Sequence, residues 1–393
     1  MDSTLIVVLV IALALFFDFT NGFHDTANAM ATPIATGALR PKVAVGLAAI
    51  LNLVGAFLST EVAMTISGGI IKEGPGGVLI TPELIFAGLI GAIVWNMITW
   101  LLGLPSSSSH ALFGGLIGAA FVGFGASAID FSVVLSKVIL PALLAPLTAG
   151  LIAYIATKLA YAITRRHDGK PDGRDRFRHG QIFSSSLVAL AHGTNDAQKT
   201  MGIITLTLIA AGVQSVGSEV QPWVIVTCAV AIALGTYMGG WRIIKTLGTG
   251  LTDVKPAQGF AAETATAATI LASSHVGFAL STTQVASGSV IGSGLGRRGS
   301  KVRWRTAGRI GVGWLMTLPA AGAVGALAAF VALQFGIVGI IVDTIVGVAV
   351  IGGIFLWSRR SEVTASNVVS EVADSGRAVK IKRNPKPKKK VKK

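Results

Sequence analysis

The stretch Asn21-Gly22-Phe23-His24-Asp25-Thr26-Ala27-Asn28-Ala29 follows an apolar run that begins at Leu5. It has a counterpart in His192-Gly193-Thr194-Asn195-Asp196-Ala197-Gln198-Lys199-Thr200. Each box carries one aspartate and lies between apolar segments. Ionisable groups inside membrane spans are costly, so they are functional candidates by default. One copy in each half of the chain is the mark of an internal repeat, the usual architecture of secondary transporters. The boxes point to an all-α polytopic membrane protein that moves a charged solute.

Composition agrees. Only 13% of the 393 residues are charged and 52% are hydrophobic, too little charge to coat a soluble core of this length. Apolar runs recur at 5–17, 84–104, 138–163, 224–238 and 337–357. At about 20 residues per span, roughly ten to twelve spans and re-entrant pieces are expected. The net charge of +15 gathers at 165–178, 297–309 and 380–393. Loops and a terminus of this kind follow the positive-inside rule and need no nucleic acid. Cys228 is the single cysteine, so no intramolecular disulfide forms, and no metal cluster is visible in the spacing. The N-terminal run has Asp2 where a cleavable signal would be basic, so the first span is expected to stay. The chain divides into a first transmembrane repeat (1–164), a basic linker loop (165–180), a second repeat (181–357) and a basic, disordered tail (358–393).

A second pair of boxes strengthens the duplication. Leu104-Pro105-Ser106-Ser107-Ser108-Ser109-His110 precedes Gly114-Gly115-Leu116-Ile117-Gly118. Ala279-Leu280-Ser281-Thr282-Thr283-Gln284 precedes Gly288-Ser289-Val290-Ile291-Gly292. His110 and Gln284 stand 174 positions apart, and Asp25 and Asp196 stand 171 apart. Pro105 breaks a helix and the serines favour an N-cap, so a half-helix is expected to begin near Ser107. Its free N–H groups and positive dipole end suit an anion. The hydroxyls of Ser107, Ser108, Ser109, Ser281, Thr282 and Thr283 suit a tetrahedral oxyanion.

Asp25 and Asp196 have the wrong sign to hold an anion and are expected to take the coupled cation. Driving an anion into a negative interior costs about 2.3 kcal/mol per charge per 100 mV, so co-transported positive charge is required. His24 is either a proton carrier or an interhelical hydrogen-bonder, and Lys199 pairs with the anion or with Asp196. Asn21, Asn28, Asn195 and Gln198 add neutral ligands or orient the acids. Gln284 and Glu263 are supporting candidates, and Asn52, Asn96 and Glu83 are other polar residues in or beside apolar runs. Arg242, Lys245 and Lys255 read as side chains snorkelling to the interface. With one acid per box, metal-dependent transfer chemistry is not supported, so neither enzyme activity nor a cofactor is expected.

In these motifs the chain resembles the inorganic phosphate transporter family over essentially residues 4–355. The resemblance rests on Gly-Phe-His-Asp-Thr-Ala-Asn-Ala, Pro-Ser-Ser-Ser-Ser-His, His-Gly-Thr-Asn-Asp-Ala-Gln-Lys and Ser-Thr-Thr-Gln. It implies a twelve-helix-type fold of two inverted repeats with broken helices, phosphate symport by alternating access, and a homodimer. It puts Asp25, Asn28 and Asp196 on the coupling side and the six hydroxyl residues on the phosphate side. Sodium-coupled members carry Asn where His24 stands and Ala-Asn where Gln198-Lys199 stand. The pattern here resembles the bacterial proton-coupled, low-affinity branch, whose substrate includes neutral metal–phosphate complexes. The second hydroxyl box departs with Ala279 for proline and Gln284 for histidine. The expectation is import of inorganic phosphate with protons across the plasma membrane. The alternatives are a sulfate or other oxyanion permease, or a Na⁺-coupled phosphate symporter.

Overall fold

The computed structural model describes residues 3–67, 80–167 and 174–368. Among these the regular elements are helices, with no strand. In chain order they are α1 (Ser3–Ala35), α2 (Pro41–Ala56), α3 (Glu61–Ser67), α4 (Pro82–Leu101), α5 (Ser108–Phe124) and α6 (Phe131–Val133). There follow α7 (Leu140–His167), α8 (Arg174–Ala210), α9 (Pro222–Met238), α10 (Trp241–Lys245), α11 (Pro256–His275), α12 (Thr282–Gly296), α13 (Trp304–Phe335) and α14 (Ile337–Ser358). A π-helical turn at Val134–Ile139 joins α6 to α7. Proline opens α2, α4, α9 and α11, where its missing N–H would have no partner in any case.

Among the described residues, five helices are long and apolar enough to cross a membrane. They are Thr4–Ala35, Pro82–Leu101, Phe131–Ile163, Trp304–Phe335 and Ile337–Ser358. The pair Pro222–Met238 and Trp241–Gly250, bent by 59°, makes a sixth. The expected ten to twelve pieces are not reached by this test, which passes only long, apolar helices. α5 and α12 are short, and α8 lines its whole length with polar side chains. The outward faces of α7, α13 and α14 expose Leu147, Leu315, Leu327, Ile345 and Val348, as a lipid-facing surface would.

The two halves are intertwined rather than set side by side. α1 packs on α9 and α2 on α8, while α5 packs on α13 and α12 on α7. Small residues make these crossings close. Gly114 and Gly118 lie on the backbone of Leu318 and Gly322, and Gly288 and Gly292 lie on that of Pro146 and Gly150. α1 and α8 run antiparallel. Thr36 at the end of α1 donates to Gln181 near the start of α8 at 2.7 Å, and Asp25 lies 3.9 Å from His192.

The linker read at 165–180 is helical wherever it is described, since α7 reaches His167 and α8 begins at Arg174. The tail read as disordered from residue 358 packs back on the bundle as far as Val368, which is buried against the cluster that includes Ile243, Leu247 and Ile310. Residues 369–393, with most of the basic tail, lie outside the described residues. Arg242 is not a snorkelling side chain. Its guanidinium lies over Trp100 and donates to the Leu101 carbonyl at 3.2 Å and the Ser358 carbonyl at 2.6 Å, the last carbonyls of α4 and α14.

Candidate functional site

Both hydroxyl boxes sit where one helix ends and a shorter one begins. Ser107 caps α5, accepting from the His110 N–H at 3.2 Å, and Ser281 caps α12, accepting from the Gln284 N–H at 3.3 Å. Each break contains a left-handed glycine, Gly103 (φ 63°) before α5 and Gly277 (φ 72°) before α12. The second break needs no proline because Gly277 supplies the turn. Ser107 and Ser281 are thus helix caps, and the residues after them face inward.

Those inward hydroxyls meet the acids of α1 and α8. Thr282 donates to Asp25 Oδ2 at 3.3 Å and to Asp196 Oδ2 at 3.0 Å. Thr283 donates to Asp25 Oδ1 at 3.1 Å, and Ser108 to Asp25 Oδ2 at 3.4 Å. Asn28 Nδ2 donates to Thr283 at 3.0 Å and Thr282 at 3.3 Å. Lys199 binds Asp196 Oδ1 and also donates to the Leu280 carbonyl at 3.0 Å, an acceptor shared with Ser109 at 3.4 Å. All these side chains are buried.

The histidines organise the protons. His24 Nδ1 lies 2.6 Å from Asp25 Oδ1, and its Nε2 lies 3.2 Å from the Thr99 hydroxyl. A contact between a ring nitrogen and a carboxylate oxygen needs one proton between them. His192 Nδ1 lies 3.2 Å from Asn52 Oδ1, and its Nε2 lies 2.9 Å from Asp196 Oδ2 but outside hydrogen-bond geometry. The amide of Asn52 is oriented by its own donation to Thr236 at 2.7 Å.

Some expected site residues stand elsewhere. Asn195 donates to Ser274 at 2.8 Å and the Phe278 carbonyl at 3.3 Å, bracing the break before α12. Gln198 caps α3, its Oε1 accepting from Val62 N–H at 2.7 Å. Gln284 lies one turn inside α12 and its Oε1 has no partner among the described residues. Glu263 belongs to a separate buried network. It accepts from Thr32, from Ser184 at 2.6 Å and from Gln181 at 3.1 Å.

The reading of the boxes passed over His192, although its place one helical turn before Asp196 signalled that the two share a face. It also found no metal cluster. Yet Asp25, His192 and Asp196 bring one ligand atom each within 4.8 Å of one another, close enough to hold a metal ion. No spacing within either half discloses this, because the three residues come from both halves. Beside the second break lies a cleft of about 170 Å³ lined by Phe113, Lys137, Gly277 and Ala279.

The phosphate transporter family matches residues 21–325. A "probable low-affinity inorganic phosphate transporter" of Mycobacterium leprae is 56% identical over 365 residues, covering 92% of this chain and 87% of that protein. One of the same description from Mycobacterium tuberculosis is 56% identical over 371 residues, covering 92% and 86%. A solved structure titled "The sodium-dependent phosphate transporter" shares the fold, with a TM-score of 0.73 and 24% identity over 84% of this chain and 99% of that one.

Proposed function

The chain belongs to the phosphate transporter family, and from that premise we propose that it imports inorganic phosphate together with protons, by alternating access between two inverted repeats. It is an integral membrane protein, and its relatives are named as transporters rather than catalysts. The inverted arrangement is supported by the antiparallel course of α1 and α8 and by the exchanged helix pairs. Import places it in the plasma membrane. The homodimer implied by the resemblance belongs to the same reading, and cross-linking in native membranes tests it.

The observation that carries the coupling is Thr282, whose hydroxyl reaches both Asp25 and Asp196. A hydroxyl has one proton to donate. While the carboxylates are charged, Thr282, Thr283 and Ser108 point their protons at them. A proton taken up at Asp25 or Asp196 removes the competing charge and frees the hydroxyls for phosphate oxygens. Two species of opposite sign then load together, and the buried site never carries the full phosphate charge alone. The N-termini of α5 and α12 supply N–H dipoles to the same anion. Lys199 offers the fixed positive charge that lets Asp196 remain beside it.

The substrate range of this reading includes a neutral divalent metal–phosphate complex. Asp25, Asp196 and the His192 Nε2 form a carboxylate–imidazole set of the kind that binds such ions. A metal ion there would need the lone pair of His192 Nε2, so metal and proton would compete for one nitrogen.

Radiolabelled phosphate uptake into proteoliposomes, with H⁺ and Na⁺ gradients imposed separately, tests the proposal. Accumulation driven by an inward H⁺ gradient alone is expected. Accumulation that requires Na⁺ would overturn the proton reading and leave the family assignment intact.

A further inference from the structure

Asp18 differs from the other acids near the site. It lies on α1 two turns before Asp25 and is fully buried, yet neither carboxylate oxygen has a hydrogen-bond partner among the described residues. Asp25 and Asp196 are each met by hydroxyls and a cationic or imidazole nitrogen, and Glu263 by three donors. Asn21, one turn nearer the site, is also fully buried with both amide atoms unpartnered. So is the hydroxyl of Thr200 on α8, which faces Asp18 outside hydrogen-bond geometry.

These residues are not scattered. Asp18, Asn21 and Asp25 fall at i, i+3 and i+7 and so share one face of α1. Asn28 and Thr32 continue the stripe on the far side of the site. The ionisable neighbours that bear on Asp18 are Asp196 and Lys199 of α8 and Cys228 of α9. Other charged groups on helices packed against α1 lie further along it. Glu263 meets Thr32, and Arg242 stacks on Trp100. His24 and His192 are taken by Asp25, Asp196, Thr99 and Asn52. Among the described residues no cation pairs with Asp18, since Lys199 is bound to Asp196.

A carboxylate charge with no donor to meet it is the least favourable occupant of such a place, whereas a neutral carboxylic acid is tolerated. The neutral acid has a proton to donate to Thr200 or Asn21, and the Asn21 amide can accept on one side and donate on the other. We propose that Asp18 is a second proton-carrying acid of the transport cycle, loaded and emptied along the Asp18–Asn21–Asp25 face of α1. The Asp18 carboxylate takes one proton, ultimately from water on the side of entry, and returns the same proton to water on the side of release. The Asp196–Lys199 pair lies within electrostatic range, so any step that draws Lys199 toward phosphate changes the field in which Asp18 holds its proton. This inference rests on the proton-coupled reading above.

The test measures protons and radiolabelled phosphate together in proteoliposomes bearing the full chain, with a pH-sensitive dye inside. Wild type, Asp18→Asn and Asp18→Glu are compared. The proposal expects the ratio of protons to phosphate to fall in Asp18→Asn, accumulation at a fixed H⁺ gradient to drop at least tenfold, and both to recover in Asp18→Glu. An H⁺-driven wild type with an unchanged ratio in Asp18→Asn overturns the proposal alone. A wild type indifferent to the H⁺ gradient overturns the proton reading, and this inference with it. Infrared spectra provide a readout independent of transport. A carbonyl band of a protonated buried acid that is present in wild type, shifts in Asp18→Glu and is lost in Asp18→Asn is expected in difference spectra. Difference spectra in which no such band changes among the three proteins also overturn the proposal.

Discussion

Asp25 and Asp196 are the residues whose loss is most specific. Each is buried and surrounded by donors, so the isosteric amide removes the charge and proton capacity while keeping the shape. Asp25→Asn and Asp196→Asn are each expected to abolish concentrative phosphate uptake, and Asp196→Asn is also expected to lower the melting temperature, because it leaves the buried Lys199 ammonium without its carboxylate. Normal accumulation by either variant would remove that acid from the coupling scheme. Among the hydroxyls, Thr282 contacts both acids and Ser108 makes a single long contact of 3.4 Å. Thr282→Ala is therefore expected to weaken phosphate binding more than Ser108→Ala. A loss of about 1–3 kcal/mol raises the half-saturation concentration by about five- to 150-fold. Equal and unchanged half-saturation in both variants would reduce the boxes to helix packing. Asp25, Asp196 and the hydroxyl clusters were legible because polar groups stand out in an apolar chain and occur twice. Gln198 and Asn195 were expected beside the acids but point elsewhere, because a box is linear and a helix is not. At 100° per residue, Gln198 turns away from Lys199 toward α3, and Asn195 turns from Asp196 toward the break before α12. His192 depends on Asn52 and on Asp25, and no local spacing ties those residues together.

At the scale of elements, the half-helices α5 and α12 depend on their caps and on close contact with their partner helices. The expected start near Ser107 agrees with the structure, since capping is a local property. The glycines at 114–118 and 288–292 served in the sequence only to align the repeats. Their physical role needs the partner helix. A Cβ on Gly118 would strike the Gly322 carbonyl, and one on Gly292 the Gly150 carbonyl, so each helix pair would have to separate. Gly118→Ala and Gly292→Ala are each expected to destabilise the protein by about 1–3 kcal/mol. Gly46→Ala, in α2 with open space around it, is expected to be neutral or to stabilise by up to about 1 kcal/mol. Thermal unfolding in detergent distinguishes them, and equal melting temperatures for all three variants would show that the crossings tolerate a methyl group. Sequence reading also divided the chain into successive bundles. The exchanged pairs α1–α9, α2–α8, α5–α13 and α7–α12 were hidden because hydrophobic periodicity identifies a buried face without naming the helix that covers it.

For the whole molecule, the governing question is whether the halves face opposite sides of the membrane. The motifs recur at an offset near 171–174 residues but carry no direction. Direction comes from pairings along α1 and α8. Thr36 meets Gln181, Asp25 approaches His192, and Asp18 faces Thr200, so positions rising on one helix fall on the other. Equivalent first helices that run antiparallel end on opposite faces. Reading α1 and α8 as the equivalent first helices of inverted repeats predicts that the α1–α2 connection and the α8–α9 connection are exposed to different compartments, as symmetric alternating access requires. Cys228 is buried, so the native thiol contributes little background to surface labelling. Lys42→Cys at the start of α2 and Ser215→Cys in the α8–α9 connection, both exposed, report the two ends. A membrane-impermeant maleimide added to sealed, right-side-out cells is expected to label one of them and to reach the other only after permeabilisation. Labelling of both from outside would mean that the repeats are parallel. The exchange of the two half-helix N-termini between outward and inward access would then need a mechanism other than the rocking of inverted halves about Asp25 and Asp196.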